Sequence, residues 1–174
     1  MEGLEFIPYA HYNGVPLILD SEIKALWDRT VRSGVVNLLF HDGSVINYEE
    51  FTILVVKSPR THFWKIEYNH AAWGYFWLNR FESTHAYCHF MAFPNFWGDP
   101  RIVDIGKEAM KMVLNGLSFE MIMGMLPSSN THALNYLRAV GLQEGGTFPK
   151  LVWSAEEDKA VEGKILYITK ENLV

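Results

Sequence analysis

The stretch PSSNTHALNYLRAVGLQEGG, residues 127–146, decides the fold. It reads as a helix with both ends marked. Ser129 or Asn130 suits the N-cap, because a short side-chain oxygen can accept from a first-turn backbone N–H that has no helical partner. Ala133, Tyr136, Leu137 and Val140 then recur at helical spacing and form one apolar face. Gly141 is the C-cap, where a left-handed backbone meets no Cβ. The preceding run, Phe119 to Leu126, is apolar and short, as a buried strand requires.

Upstream, His85 to Phe93 has strand composition, Pro94 stops it, and Asn95 to Pro100 is a turn-rich loop. From Arg101 the apolar residues Ile102, Ile105, Ala109, Met112 and Val113 repeat at helical spacing as far as Gly116. Alternation along the strand sets His85, Tyr87, His89, Met91 and Phe93 on one face, with Ala86, Cys88, Phe90 and Ala92 on the other.

Asn130, a small residue at Ala133, and the pair Gly141-Leu142 resemble the closing motif of the GNAT superfamily of acyl-CoA N-acyltransferases. The strand, loop and helix from His85 to Gly116 are similar to that family's binding segment for acetyl coenzyme A. The likeness spans Tyr48 to Leu151. It implies an α+β fold, with a mixed, largely antiparallel sheet flanked by helices in one domain over residues 1–174. It also implies an N-acetyltransferase that uses acetyl-CoA as cosubstrate, by direct attack of a primary amine of a small molecule or protein on the thioester. Backbone amides of Met91, Ala92 and Phe93 would then bind the acetyl carbonyl and pantetheine arm. Trp97, Gly98, Asp99, Arg101 and Ile102 would meet the pyrophosphate, and Asn130 and Ala133 would belong to the same cofactor site. A helix N-terminus suits an anion, since it offers free N–H groups and the positive end of a dipole.

Two features depart from the family pattern. The loop Trp97-Gly98-Asp99-Pro100-Arg101 lacks the usual spaced glycines, and it brings in a carboxylate and a proline without an N–H. Arg101 can offset the negative charge of Asp99. The tyrosine that often follows the motif asparagine by seven residues, as general acid, is here Leu137. Tyr136 lies one residue early, about 100 degrees around the helix, which gives it packing first and acid chemistry second. Candidate bases are His89, whose type titrates near 6.5, and Glu82. Their plainer readings are a half-buried sheet histidine and a surface carboxylate. The loop is most similar to divergent phage or prophage members and, more distantly, to enzymes that modify ribosomal proteins. That points to an alternative: a catalytically degenerate relative serving as a phage-related binding or assembly protein.

Composition bounds these readings. A chain of 174 residues, 49% hydrophobic and 20% charged, fits a single domain with a sizeable core. A net charge of -5 without a basic run argues against nucleic acid as a partner. The lone Cys88 suits a reducing cytoplasm and reads as a core residue. No apolar run reaches membrane-spanning length, and the N-terminus lacks a signal-like core. The aromatic surplus, with six Trp and eleven Phe, leaves rings to line a groove or a homodimer contact. His85 and His89, four apart on a strand, lie about 13 Å from each other, too far for one metal ion.

The remaining elements are expected as follows. Leu4 to Tyr9 is a strand or extended arm. Asp20 or Ser21 caps a helix burying Ile23, Leu26, Trp27 and Val31, and Val35 to Phe40 is a strand. Tyr48 to Lys57 is a helix whose β-branched residues keep a strand open. His62 to Tyr68 and Trp73 to Phe81 form a hairpin, completed as a meander by His85 to Phe93. Leu151 to Trp153 and Lys164 to Thr169 are the last strands.

Overall fold

The expected meander organises the sheet. His62–Tyr68 (β4), Ala71–Asn79 (β5) and His85–Ala92 (β6) pair antiparallel in chain order. Leu4–Pro8 (β1) pairs with the outer side of β4, so the first segment is an edge strand. Met121–Pro127 (β7) runs parallel to β6, Lys159–Thr169 (β9) pairs antiparallel with β7, and Gln143–Ser154 (β8) closes the far edge. The computed structural model describes residues 1–173. Within them these strands form one mixed, mostly antiparallel sheet ordered β1-β4-β5-β6-β7-β9-β8. A small hairpin of His11–Tyr12 (β2) and Val15–Pro16 (β3) turns at Asn13-Gly14.

One sheet face carries the two helices whose ends the sequence marks. Arg101–Gly116 (α4) buries Ile102, Ile105, Ala109 and Val113, and Thr131–Val140 (α5) buries Leu134 and Val140, against Phe76, Ala86, Ile122 and Leu166. Each such Ile, Leu, Val or Phe side chain, taken out of water, contributes roughly 1.5–3 kcal/mol before conformational entropy is subtracted. The N-cap of α5 is Asn130, whose Oδ1 accepts from the Ala133 N–H at 3.2 Å. Gly141 closes the helix at φ 114°.

The other face carries Asp20–Arg32 (α1), Val36–Leu39 (α2) and Tyr48–Glu50 (α3), the last running into a π-helical turn, Phe51–Val56. Three expectations change here, and the helix from Tyr48 is refined. The α1 cap is Leu19, whose N–H donates to Glu22 at 2.9 Å, while Asp20 ion-pairs with Lys57. Thr30, not Val31, completes the buried stripe with Ile23, Leu26 and Trp27, and its hydroxyl meets the buried Tyr75 hydroxyl at 2.9 Å. Val35 to Phe40 is a single helical turn: Val35 and Phe40 enter the core from its ends, and no strand neighbour is in reach. The π turn reconciles β-branched crowding with helix, because its wider coil, closed by i→i+5 bonds, sets Phe51, Val55 and Val56 on one buried side.

The last two strands are longer than their composition suggests. Gly145, Gly146 and Pro149 read as breakers, yet they sit at register shifts in β8, and an edge strand tolerates bulges and proline.

Gly106, in the middle of α4, permits the close approach of α5. A Cβ there would collide with the Tyr136 hydroxyl and the Val140 methyl. Gly106→Ala gains helix propensity of about 1 kcal/mol but overpacks at about 1–3 kcal/mol. Thermal unfolding is expected to show a fall in Tm of a few degrees. An unchanged or higher Tm would mean that the helices do not meet at this point.

Candidate active site

β6 and β7 pair only from His85 to Tyr87 and from Met121 to Met123, and then they part. Each leaves with its own neighbour, since β5 stays paired with β6 to Ala92 and β9 with β7 to Pro127. Closing the gap would break one of those ladders.

The gap exposes backbone groups. The Phe93 N–H donates to the Trp73 carbonyl at 3.0 Å, so Phe93, Met91 and His89 address β5. Backbone groups alternate along an antiparallel strand, which turns the Phe90 and Ala92 N–H groups the other way, into the gap. Of the three amides carried over from the family resemblance, only that of Ala92 faces the opening; Phe90 joins it in place of Met91 and Phe93. The Met91 and Phe93 side chains are buried on the α1 face.

Around the gap lies a cavity of about 510 Å³, within the range of small-molecule sites. Its walls include Phe90 to Ala92, Trp97 to Pro100, Ile102, Asn130 with Ala133, Leu38 and Leu39 of α2, and Val35 at the N-cap of α2. The loop from β6 to α4 is firmly anchored. The Trp97 indole N–H donates to the Ala92 carbonyl at 2.8 Å, and Phe96 stacks on Trp73 at 3.9 Å. Arg29, which sequence pattern did not single out, reaches from α1 to the Ala72 carbonyl and Asn95 Oδ1 at 2.8 and 2.6 Å, its guanidinium lying 3.9 Å over the Phe93 ring. Trp97 also lies against His132 of α5, ring centroids 4.2 Å apart and planes tilted by 35°, so two aromatic rings meet at the cleft.

The α4 N-terminus differs from what the family resemblance implies. The Arg101 N–H donates to the Asp99 carboxylate at 3.0 Å, and the Ile102 and Val103 N–H groups donate to the carbonyls of Asp99 and Pro100. Asp99 thus occupies the anion position, and Arg101 closes over it at 2.6 Å. That pairing, led by the hydrogen bond between the two side chains, lowers the Asp99 pKa and raises that of Arg101. Gly98, at φ 85°, keeps open space beside the loop.

The candidate acid and bases occupy different places: Tyr136 at the cleft, His89 and Glu82 away from its lining. Tyr136 lines the cleft, but its hydroxyl donates to the Ile102 carbonyl at 3.3 Å, and burial holds its pKa well above 10. His89 is absent from the cleft lining. Its Nε2 donates to Asn79 Oδ1 at 3.1 Å, its ring stacks on Trp77 at 4.6 Å, and burial lowers its pKa to about 4. Glu82 sits in the turn before β6, with its N–H donating to the His85 carbonyl. The length of β6, about 23 Å, separates that turn from Ala92, because an antiparallel hairpin puts its turn opposite the end where the β6–α4 loop begins. Cys88 packs in the core, its thiol pushed up to about 12 by burial.

No family model and no curated protein matches the sequence. Solved structures do match in shape. A spermidine N-acetyltransferase from Vibrio cholerae, solved with coenzyme A and spermine, has a TM-score of 0.76 at 10% identity, covering 99% of each chain. A ribosomal-protein α-N-acetyltransferase has a TM-score of 0.76 at 12% identity, over 97% of this chain and 91% of its own. A GNAT-family acetyltransferase from Bacillus anthracis has a TM-score of 0.74 at 12% identity, over 98% and 96%. The chain has the GNAT fold. The segments on which the family resemblance rests, His85 to Gly116 and the Asn130-capped α5, are β6 with its loop and α4, and the helix beside the cleft. The comparisons give no support to a phage origin.

His89 makes this GNAT fold sensitive to acid. Its pKa is near 4 when folded and 6.5 when free. The unfolded chain therefore binds the extra proton between those values, and stability is lost as pH falls from about 6.5 through 4. Tm is expected to drop between pH 7 and pH 5, and His89→Gln, which keeps a donor for Asn79, to shrink that drop. An equal drop in both proteins would show that the imidazole titrates freely.

Proposed function

We propose that the chain is an acetyl-CoA-dependent N-acetyltransferase acting at the β6–β7 gap. The observation that carries this reading is the pair of N–H groups, from Phe90 and Ala92, directed into an apolar cleft beside the Asn130-capped α5. Fixed amides in a water-poor site stabilise the charge that develops on a thioester carbonyl under attack, without reorganising during the reaction. The solved neighbours, two of them described with coenzyme A, support the same cosubstrate.

The fit to acetyl-CoA is good along the arm and altered at the phosphates. The arm would run between β6 and α5, past Ala92 and Asn130 and under the Trp97–His132 pair. At the α4 N-terminus a pyrophosphate meets Asp99 before it meets free amides, so Arg101 would have to leave Asp99 to hold it. In the transfer, the neutral amine nitrogen forms a bond to the acetyl carbon and the carbon–sulfur bond breaks. Sulfur leaves with the electron pair and takes up one proton, so the products are an acetamide and free coenzyme A. The Phe90 and Ala92 amides face the carbonyl oxygen, and the chain's contribution is positioning and charge stabilisation.

Calorimetric titration with acetyl-CoA tests both halves. Micromolar binding is expected. Asp99→Asn frees Arg101 and removes one unit of like charge, tightening binding about fivefold; Arg101→Gln weakens it by about as much. Absence of binding at millimolar acetyl-CoA, for the parent and for Asp99→Asn, would overturn the transferase reading.

A further inference from the structure

The cleft does not end at β6. It continues to the opposite sheet face, where Leu38 and Leu39 of α2 and the N-cap residue Val35 form its wall. Since α4, α5 and the Asn130 cap lie on one face and α2 on the other, a donor held beside α5 leaves the α2 end for the acceptor. That end is apolar: its walls are Val35, Leu38, Leu39 and Met91. Among the described residues, the single carboxylate that lines the cleft is Asp99, which stands at the α4 end and is paired with Arg101.

We infer that the acceptor is a primary amine carried on an apolar body, and not a polyamine, because the α2 wall supplies contact for hydrocarbon and no carboxylate for a second ammonium. This inference rests on the transferase reading and specifies its substrate class. A second positive charge brought into this end would lose water and gain no partner, which disfavours binding. Hydrocarbon gains free energy for each buried methylene. A residue that sequence composition assigned to a strand thus becomes a specificity determinant: Leu38, half exposed on α2, points its selectivity at the acceptor without belonging to the core.

The test measures acetyl transfer from acetyl-CoA to 2-phenylethylamine and to spermidine, with the parent protein and with Leu38→Asp. Acetyl-CoA binding is followed separately by calorimetry. The parent is expected to favour 2-phenylethylamine at least tenfold in kcat/KM. Leu38→Asp is expected to lower that value about tenfold and raise the value for spermidine, with the Kd for acetyl-CoA unchanged within twofold. Equal or preferred use of spermidine by the parent, or a Leu38→Asp protein with unchanged selectivity, would overturn the acceptor assignment while leaving the transferase reading in place. A preference for longer acyl thioesters that Leu38→Asp abolishes would also overturn it, by giving the wall to the acyl chain. Failure to bind acetyl-CoA at all would remove the transferase reading, and this inference with it.

Discussion

The separation of β6 from β7 after three paired residues is the constraint on which the rest of the molecule depends. Each strand is held by an intact ladder on its outer side, so the sheet's own pairing sets the gap. Unpaired backbone N–H groups are costly when buried, which is why such gaps persist only where the groups face a cavity. Here the cavity is built by the same elements that cover the sheet: α4 and α5 on one face, α2 on the other. Packing and site are therefore one arrangement. Arg29 joins them physically, since it ties α1 to the loop that leaves β6.

Electrostatics give the site its individual character. A helix N-terminus attracts negative charge, and α4 has satisfied that demand internally with Asp99. An intramolecular carboxylate has the advantage of proximity; a phosphate group has more charge and more acceptor oxygens. Arg101 arbitrates, because it can face only one of them at a time, and its present partner is two residues away in the chain. The chain's negative net charge of -5 adds a mild general repulsion to any polyanion, which makes this arginine more consequential than its exposed position suggests.

Much of this was legible in the sequence wherever a local rule acts alone. Asn130, Gly141 and the bounds of α4 follow from capping and periodicity, and the meander follows from alternating strands with turn residues between them. What failed involved partners distant in the chain. The orientation of the Phe90 and Ala92 amides depends on which neighbour each strand keeps, information that no side chain carries. Val35 to Phe40 has strand composition but no ladder to join, so it coils into one turn. Gly145, Gly146 and Pro149 break a central strand but not an edge strand. His89 was read correctly as lying on the face opposite Cys88, yet the Asn79 and Trp77 that hold it come from β5. Glu82 is close to β6 in sequence but lies at the end that the antiparallel turn sends away from the cleft.

The most direct measurement is a map of backbone amide chemical shifts on addition of coenzyme A. If the gap is the thioester site, the Phe90, Ala92 and Gly98 amide signals move together and saturate with a single Kd, while Met91 and Phe93, bonded across to β5, move far less. Shifts that leave Phe90 and Ala92 unchanged, or that gather on β8 and β9, would contradict it.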